Sequence, residues 1–376
     1  MQMRTYNVSW NAFAENVKSN NKSIILFGAG AIGAVVIPEI LSDYNLLSHV
    51  KCYIDNDERL WETKIKIKGL TFDIKSPGFL KECDSNTVIM LNISRFTDVL
   101  EQLNAMETTQ DKECVISPVM LMTNFKSKGG NGIASQSKNM IIPKTIHYMW
   151  LGGKPLPTNL QKCIDSWKKY CPDYEIIEWN ENNYDISKNN YMKQAYEKKA
   201  YGFVPDYARF DIIYNYGGIY LDTDVELKSS LDKLLYQEAY CSVEKWQVIN
   251  PGGGFGAVKG HPAIKMFMDE RENLSFVLPD GSLNKKTCAY YDTLTALKHG
   301  YKINGRNQKI NGMNIYTYDY FHPYDYMSGT IDMTSDTVSI HHFNGGWLDE
   351  TMKKANQDTV DNFNKIFASL SMGVEE

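Results

Sequence analysis

The sequence lacks several features that would place it in a familiar class. Its seven cysteines are scattered and odd in number, and none forms a Cys-x-x-Cys pair, which argues against a thiolate metal site and fits a reducing compartment. No apolar run approaches the roughly 18 residues needed to cross a bilayer. No N-terminal segment shows the basic start, apolar core and small-residue end of a signal peptide. We therefore expect a cytoplasmic protein, with at most peripheral contact with the inner face of the cell membrane.

An excess of positive charge is also missing. The formal net charge is −5 and the sequence pI is about 5.9. A nucleic-acid-binding protein would usually present a basic face, so a nucleic-acid partner is not expected. A phosphorylated substrate would then need a bound metal ion, or a few well-placed cations, to offset its charge.

The remaining composition is that of a globular chain, 43% hydrophobic and 23% charged, and its patterns predict two domains. Alternating apolar runs and helical stretches in residues 1–123 predict a small Rossmann-like domain with a parallel sheet. Residues 124–140 are rich in Gly, Ser, Lys and Asn, which predicts a linker or a mobile loop. Residues 141–376 then form a second α/β domain.

A glycine-rich turn follows the first strong strand pattern of the N-terminal domain. The run Gly28-Ala29-Gly30-Ala31-Ile32-Gly33 matches G-x-G-x-x-G, and Asp55 ends the next predicted strand. Such glycines let the backbone approach a pyrophosphate, and a carboxylate at that place can hold a ribose. Gly28, Gly30, Gly33 and Asp55 are therefore candidates for nucleotide binding. A purely structural role remains the alternative.

A second strand pattern delivers two carboxylates to one place. Ile219-Tyr220-Leu221 is a short apolar run that ends in Asp222-Thr223-Asp224, called the DXD motif below. Carboxylates two residues apart at a strand end can face one cleft, and hard cations such as Mn²⁺ or Mg²⁺ prefer oxygen ligands. A cation held there would offset charge on a leaving diphosphate. The alternative is a solvated turn, because D-x-D also occurs by chance.

An acidic and a basic residue precede the DXD motif on one predicted helix. Asp206 and Arg209 are three residues apart and share a helix face. The apolar residues around them predict a buried helix, in which both charges need partners. Sugar hydroxyls or a phosphate would serve as those partners.

Several motifs occur in the order found in one enzyme family. The block DYARFDIIYNYGGIYLDTD, with the upstream segment Ile142–Trp150 and the downstream segment His341–Trp347, resembles the DXD-containing glycosyltransferase family 32. That family includes yeast-type initiating mannosyltransferases and bacterial capsule enzymes, and it is distantly similar to clostridial glucosylating toxins. The resemblance covers roughly residues 141–350.

The resemblance implies a GT-A fold, a nucleotide-sugar donor, a divalent cation (Mn²⁺ or Mg²⁺) and retention of anomeric configuration. It assigns the catalytic roles to Asp206, Arg209, Asp222 and Asp224, with Asp206, Arg209 and Asp222 also binding the donor. The further donor-binding residues that it implies are Trp150, Asn250 and Trp347.

The resemblance also implies a metal site. Asp224 would bind the metal with help from Asp222, and His342 would be a further ligand, with His341 as its alternate. Relatives often carry Ser before the final Trp, where this chain has Gly346, so one contact of the metal or the diphosphate is expected to be missing. Tyr291 and Asp292 occupy positions where relatives carry residues on the acceptor side.

The predicted function is transfer of a hexose from UDP-galactose or UDP-glucose to a saccharide acceptor, expected to be lipid-linked, during assembly of a bacterial capsule or O-antigen. Three alternatives remain open at this point. One is an NAD-dependent nucleotide-sugar oxidoreductase or epimerase that uses the glycine-rich turn. Another is a toxin-like transferase that glycosylates a protein. The third is a binding module without catalysis.

Overall fold

The computed structural model describes residues 3–94, 96–344 and 350–370. Its chain divides into two compact units. The first unit runs to Lys126 and also takes in Met327–Gly329 and the C-terminal helix, and the second contains the rest of the described chain. Each unit has its own sheet, so the predicted α/β class is confirmed.

The sheet of the first unit is mostly parallel. Its strands, within the described residues, are β1 (Arg4–Tyr6), β2 (Ser23–Phe27), β3 (Val50–Ile54), β4 (Lys64–Ile67), β5 (Leu70–Lys75), β6 (Thr87–Leu91) and β7 (Glu113–Ile116). They lie in the order β1-β7-β6-β2-β3-β5-β4, and only the β4–β5 pair is antiparallel among these neighbours. The central strands are almost wholly apolar because helices and loops cover both of their faces.

The described part of the first unit contains, besides its C-terminal helix, α1 (Trp10–Ser19), α2 (Ile37–Asp43), α3 (Phe96–Ala105) and α4 (Ser117–Asn124). The first three connect strands of the sheet, and α4 follows β7. Helix α1 begins after Ser9, whose Oγ accepts a hydrogen bond from the N–H of Ala12 over 3.2 Å. That bond satisfies one of the free N–H groups at the start of the helix. A π-helical turn at Ile32–Val36 leads directly into α2.

The sheet of the second unit mixes parallel and antiparallel pairs. Its strands are β8 (Thr145–Met149), β9 (Glu175–Trp179), β10 (Gly218–Tyr220), β11 (Val225–Leu227), β12 (Ala239–Ser242), β13 (Phe255–Ala257), β14 (Gln308–Ile310), β15 (Met313–Tyr316) and β16 (Ser339–His341). Seven of them form a sheet in the order β14-β15-β12-β13-β10-β8-β9, and β11 pairs with β16 as an antiparallel ribbon. The DXD motif lies between β10 of the sheet and β11 of the ribbon.

The helices of the second unit are α5 (Thr158–Tyr170), α6 (Asn190–Glu197), α7 (Pro205–Tyr216), α8 (Pro262–Glu272) and α9 (Cys288–Lys298). Helix α5 carries Trp167, which is fully buried and donates its Nε1–H to the carbonyl of Val225 over 2.7 Å. Helix α7 ends at Gly217, whose φ of 72° is the left-handed conformation that favours glycine. These two anchors fix the ends of the segment that contains the DXD motif.

The segment predicted to be a linker is hydrogen-bonded to the second unit. The N–H of Ala134 donates to the hydroxyl of Tyr316 over 3.0 Å, and the N–H of Gln136 donates to the carbonyl of Tyr236 over 2.7 Å. Polar composition predicted mobility, but backbone groups bond wherever a neighbouring surface offers partners.

The C-terminal helix α10 (Glu350–Leu370) belongs to the first unit, whereas the sequence placed it in the 141–376 domain. Its Phe363 is buried, and the ring lies 5.7 Å from that of Phe96 in α3. A periodic apolar pattern predicts a helix but does not say which surface the helix covers. Among the described helices, none is both long and apolar enough to span a membrane.

Candidate active site

The DXD motif follows β10 and keeps its two carboxylates partly open. The N–H of Asp222 donates to the carbonyl of Gly252 over 3.0 Å, which fixes the chain as it leaves the sheet. The side chain of Asp222 is 26% exposed and that of Asp224 is 14% exposed. Both carboxylates therefore remain within reach of a ligand from solvent.

A histidine from the ribbon completes a cluster with these carboxylates. Because β16 pairs with β11 so that His341 lies opposite Val225, its Nε2 comes within 3.2 Å of Oδ1 of Asp224. One ligand atom from each of Asp222, Asp224 and His341 lies within 4.8 Å of the others. Two carboxylates and an imidazole at this separation fit a single divalent cation after a small inward movement. Imidazole is a typical ligand of transition metals, and carboxylates bind both Mn²⁺ and Mg²⁺.

The structure corrects the predicted order of the two histidines. His342, the preferred metal ligand in the sequence analysis, directs its Nε2 to Oε2 of Glu226 at 3.0 Å. Neighbouring residues of a strand point to opposite faces, so only one of the two can face Asp224. The alternate, His341, is the one that does.

Asp224 and His341 each stabilise the charged form of the other. Burial alone would raise the pKa of Asp224, but the nearby His341 imidazole and the N–H of Asn344 outweigh it and hold that pKa at about 2. Burial acts to lower the pKa of His341, and the Asp224 carboxylate more than compensates and raises it. A cation bound here would have to replace the proton of His341, because a protonated imidazole cannot coordinate a metal.

Asp206 and Arg209 lie beside the DXD motif, as the resemblance implied. The Nη2 of Arg209 is 3.1 Å from Oδ1 of Asp222 and 3.9 Å from Oδ1 of Asp206. Both Asp206 and Arg209 are almost completely buried, because residues 206–213 of α7 are all buried. Arg209 therefore links a buried carboxylate to an accessible one.

Asn250 has a structural place next to the motif. Its Oδ1 accepts from the N–H of Gly252 over 2.8 Å, and its Nδ2 donates to Oε1 of Glu244 over 2.5 Å. A Cβ at Gly252 would overlap Oδ2 of Asp222. A side chain at Gly252 would therefore displace the Asp222 carboxylate, and Asn250 holds the turn that contains this glycine. Burial raises the pKa of Glu244 to about 7.

The other described residues predicted for this site make hydrogen bonds or ion pairs with residues outside the DXD motif. Trp150 is half-buried, and its Nε1–H donates to the carbonyl of Lys154 over 2.5 Å. The hydroxyl of Tyr291 lies 2.8 Å from Nδ2 of Asn284. Asp292 is 1% exposed and bound to Arg271, so it does not face an acceptor as predicted. Trp347 and Gly346 lie outside the described residues.

The glycine-rich turn of the first unit is tightly packed, with the backbone at Gly33 lying against that at Gly28. Gly28 adopts φ of 103°, and a Cβ at Gly33 would overlap the carbonyl oxygen of Gly28. The two carboxylate oxygens of Asp55 accept from the N–H groups of Ala29 and Asp57, each over 2.9 Å. Gly30 has open space around it. Asp55 therefore supports the turn, and nucleotide binding there stays a prediction.

Comparison with known proteins bears on the second unit. Residues 157–241 match the profile of a family described as the glycosyltransferase sugar-binding region containing the DXD motif. The matched segment includes α5, α7 and both aspartates of the motif. This segment of the chain is therefore similar to a glycosyltransferase sugar-binding region. The predicted enzyme class is confirmed at this level.

Individual relatives agree with the class of this sugar-binding region. Inositol phosphoceramide mannosyltransferase 3 of Schizosaccharomyces pombe is 32% identical over 136 residues, which are 34% of this chain and 36% of that protein. The uncharacterized glycosyltransferase L373 of Acanthamoeba polyphaga mimivirus is 24% identical over 197 residues, 49% of this chain and 74% of that protein. The chain thus spans little more than a third of the length of the first of these relatives.

A solved structure was also found, that of the galactosyltransferase LgtC in complex with donor and acceptor sugar analogues. The sequences are 12% identical, the match covers 60% of this chain and 96% of the LgtC chain, and the TM-score is 0.30. At that score the likeness adds no argument about the geometry of the sugar-binding region.

The structure adds residues that the sequence did not single out. Glu244 and His322 hold the turn at Gly252, with Nε2 of His322 3.1 Å from the carbonyl oxygen of Asn250. Arg271 is buried and binds Asp292. The three consecutive glycines after Pro251 are the one local sequence signal that the backbone there lies close to other groups, namely Asp222 and His322. Arg271 lies among charged residues of α8, and nothing in its neighbourhood in the sequence marks it as buried.

Proposed function

We propose that this chain is a metal-dependent glycosyltransferase that transfers a hexose from a nucleotide sugar to a saccharide-bearing acceptor. One observation carries the proposal: the two aspartates of a matched sugar-binding region converge with His341 on a site for one cation. The GT-A type of fold and retention of configuration, both implied by the family resemblance, belong to the same proposal.

The residues of the site have distinct tasks in this proposal. Asp224, Asp222 and His341 would hold the cation, which when bound offsets the negative charge of a departing nucleoside diphosphate. Arg209 holds the Asp222 carboxylate in place at 3.1 Å and thereby fixes one wall of the donor site. The turn at Gly252 lies against Asp222, and in this proposal the turn and Arg209 together restrict rotation of the carboxylate. A rigid carboxylate orients the donor without an entropic cost at the moment of reaction.

The donor and the acceptor are the finer part of the proposal. UDP-galactose and UDP-glucose are the donors that we expect, with a lipid-linked saccharide of a capsule or O-antigen as acceptor. The relative in S. pombe is named as a mannosyltransferase that acts on inositol phosphoceramide. A nucleotide-linked mannose and a glycolipid acceptor therefore belong in the same test. The location at the cytoplasmic face of the membrane stays a prediction.

The proposal is tested by nucleotide release from a panel of UDP-glucose, UDP-galactose and GDP-mannose, with Mn²⁺ or with EDTA. We expect release of one nucleotide only with the metal, and a loss of about 1,000-fold in Asp224→Ala, the size expected when charge stabilisation of a leaving group is removed. Asp165→Ala, at an exposed position of α5, is the matched control and keeps full activity.

Two results would contradict the proposal. One is a wild-type rate that Asp224→Ala leaves unchanged, because the metal site would then have no part in the reaction. The other is the failure of every donor in the panel to bind in calorimetry with Mn²⁺ present. Binding without release would instead show that the acceptor is required, and membrane extracts containing lipid-linked saccharides would then be added to the assay.

A further inference from the structure

The chain that leaves β16 bends around one carboxylate of the candidate metal site. His341, the last residue of β16, places its Nε2 3.2 Å from Oδ1 of Asp224. The N–H of His342 donates to the main-chain carbonyl of Asp224 over 3.0 Å, and the N–H of Asn344 donates to its Oδ2 over 2.8 Å. Phe343 makes none of these three contacts, yet it joins the residues that do.

Phe343 has a backbone conformation that is unusual for its side chain. Its φ is 49°, in the left-handed region, which is unfavourable for residues with a side chain and rare for bulky ones. The chain turns here directly after the ribbon, and this turn returns the N–H of Asn344 to Asp224. A backbone outlier observed beside a candidate site supports a functional hypothesis.

The ring of Phe343 covers the imidazole of His341. Their ring centres are 4.1 Å apart, and the two planes differ by 22°. Residues two apart on a strand share a face, but a straight strand would hold them about 6.6 Å apart. The bend at Phe343 brings the two rings closer than that. The ring of Phe343 also lies 5.2 Å from that of Tyr326 and 5.8 Å from that of His322, so it is itself held in place.

We propose that Phe343 is a positioning residue for the metal site, with its backbone holding Asp224 and its ring holding His341. The left-handed turn keeps the N–H of Asn344 on Oδ2 of Asp224, while Oδ1 faces His341. The stacked ring restricts rotation of the imidazole. Groups that orient metal ligands contribute about 10- to 100-fold to metal affinity. The inference rests on the proposed function for its effect on catalysis, but Mn²⁺ binding and the geometry can be measured without any activity.

Three substitutions at this position separate the backbone from the ring. Asparagine adopts the left-handed conformation more readily than most residues, so Phe343→Asn keeps the turn, removes the ring and should weaken Mn²⁺ binding about 10-fold. A β-branched residue disfavours this conformation, so Phe343→Val loses both the turn and the ring and should weaken binding about 100-fold. Phe343→Tyr retains an aromatic ring and should bind Mn²⁺ within about threefold of the wild type.

Calorimetric titration with Mn²⁺ alone measures these affinities, and crystal structures of the variants measure the geometry. In Phe343→Asn we expect the N–H of Asn344 to keep its 2.8 Å contact with Oδ2 of Asp224. In Phe343→Val we expect the same distance to exceed about 3.5 Å, the outer limit of a hydrogen bond. Thermal unfolding shows whether each variant is folded. If Phe343→Val does not fold, the other two variants still decide the role of the ring.

A second left-handed residue in the same unit provides the control. Lys199 follows α6, has φ of 57° and is exposed. Lys199→Val introduces the same unfavourable combination of side chain and backbone at a residue outside the cluster of Asp222, Asp224 and His341. It should lower the thermal midpoint by about 2–4 °C and change the affinity for Mn²⁺ by less than about twofold, as independent sites do.

The proposal is overturned if Phe343→Asn folds and binds Mn²⁺ as tightly as the wild type. It also fails if Phe343→Val keeps both the contact of Asn344 with Asp224 and the wild-type affinity, or if Phe343→Tyr loses as much affinity as Phe343→Asn. A wild type that binds Mn²⁺ but releases no nucleotide from any donor would contradict the proposed function alone. A wild type that binds no Mn²⁺ would contradict the metal site and this inference together.

Discussion

Both units place an aspartate at the end of a strand next to a glycine-rich turn. In the first unit Asp55 follows β3 and faces the turn that begins at Gly28. In the second, Asp222 follows β10 and touches the turn at Gly252. The local arrangement of carboxylate and glycine is thus similar, although the two turns differ in sequence.

The two aspartates differ in what surrounds their carboxylates. Both oxygens of Asp55 accept hydrogen bonds from backbone N–H groups, one from Ala29 in the glycine-rich turn and one from Asp57 in its own loop. Asp222 is joined by Asp224 and His341, and the three offer ligand atoms to a common point. A carboxylate at a strand end becomes chemically useful when other ligands converge on it from elements that are distant in the sequence.

The largest expected effect is at Gly33 in the turn of the first unit. A Cβ there would overlap the backbone oxygen of Gly28, which cannot move away as a side chain could. Gly33→Ala should therefore lower the free energy of unfolding by about 3 kcal/mol or more. Hydrogen exchange should locate the loss in the first unit. Gly30→Ala, in open space, should change stability by less than about 0.5 kcal/mol, and an equal loss in both would show that the turn is not closed as described.

The next largest effect tests which histidine of the second unit binds the metal. His341→Ala removes a ligand and should weaken Mn²⁺ binding at least about 100-fold, since even the supports of a metal ligand contribute 10- to 100-fold. His342→Ala removes the contact with Glu226 and should weaken it less than about threefold. Calorimetric titration of both variants decides the matter. The reverse order would mean that the β11–β16 register differs in solution.

A pH-dependent effect is expected at Glu244, which supports the turn in the second unit. Burial raises the pKa of Glu244 to about 7, so the folded state binds its proton more tightly than the unfolded state does. Stability from this group is present below its unfolded pKa and is lost as pH rises through the folded value near 7. Glu244→Gln should therefore be more stable than the wild type by roughly 2–3 kcal/mol at pH 8, and by much less at pH 5.

Urea unfolding at both pH values measures this difference for Glu244→Gln. The control is Glu175→Gln, an exposed position on β9, which should show no such dependence on pH. A variant that is less stable than the wild type at pH 8 would show that the charged carboxylate is favoured where Asn250 donates to it.

The smallest effect is expected at Asp55, where the role is structural. Asp55→Asn keeps the shape but loses one of two accepted hydrogen bonds, and it should cost about 1–2 kcal/mol of unfolding free energy. Asp73→Asn removes an exposed partner of Lys64 in the same unit and should cost less than about 0.5 kcal/mol. If both variants lost the same unfolding free energy, Asp55 would have no structural role beyond that of an exposed residue, and the difference drawn here between Asp55 and Asp222 would be wrong.

Local patterns predicted much of the fold. The buried helix predicted around Asp206 and Arg209 is α7, which begins at Pro205 and ends before Gly217. The apolar run before the DXD motif is strand β10, extended by buried Leu221. These elements depend on neighbours in the sequence, such as capping residues and continuous apolar runs, so the sequence alone was sufficient.

The parts of the site that depend on distant pairing were not predictable in the same way. Whether His341 or His342 faces Asp224 is fixed by the register of β16 on β11, and a shift of one residue reverses the faces. The burial of Arg271 depends on the packing of α8 against α9, which no local pattern of charged residues reveals. The surface covered by α10 was likewise undetermined.

The placement of α10 has a consequence for how the chain acquires its structure. Phe96 of α3 packs against Phe363, so a ribosome must complete the whole second unit before the first can bury that ring. During synthesis the first unit therefore lacks α10 until the ribosome has made the second unit, which is more than half of the chain. A nascent chain released early would keep an open apolar surface on α3, the kind of surface that chaperones recognise.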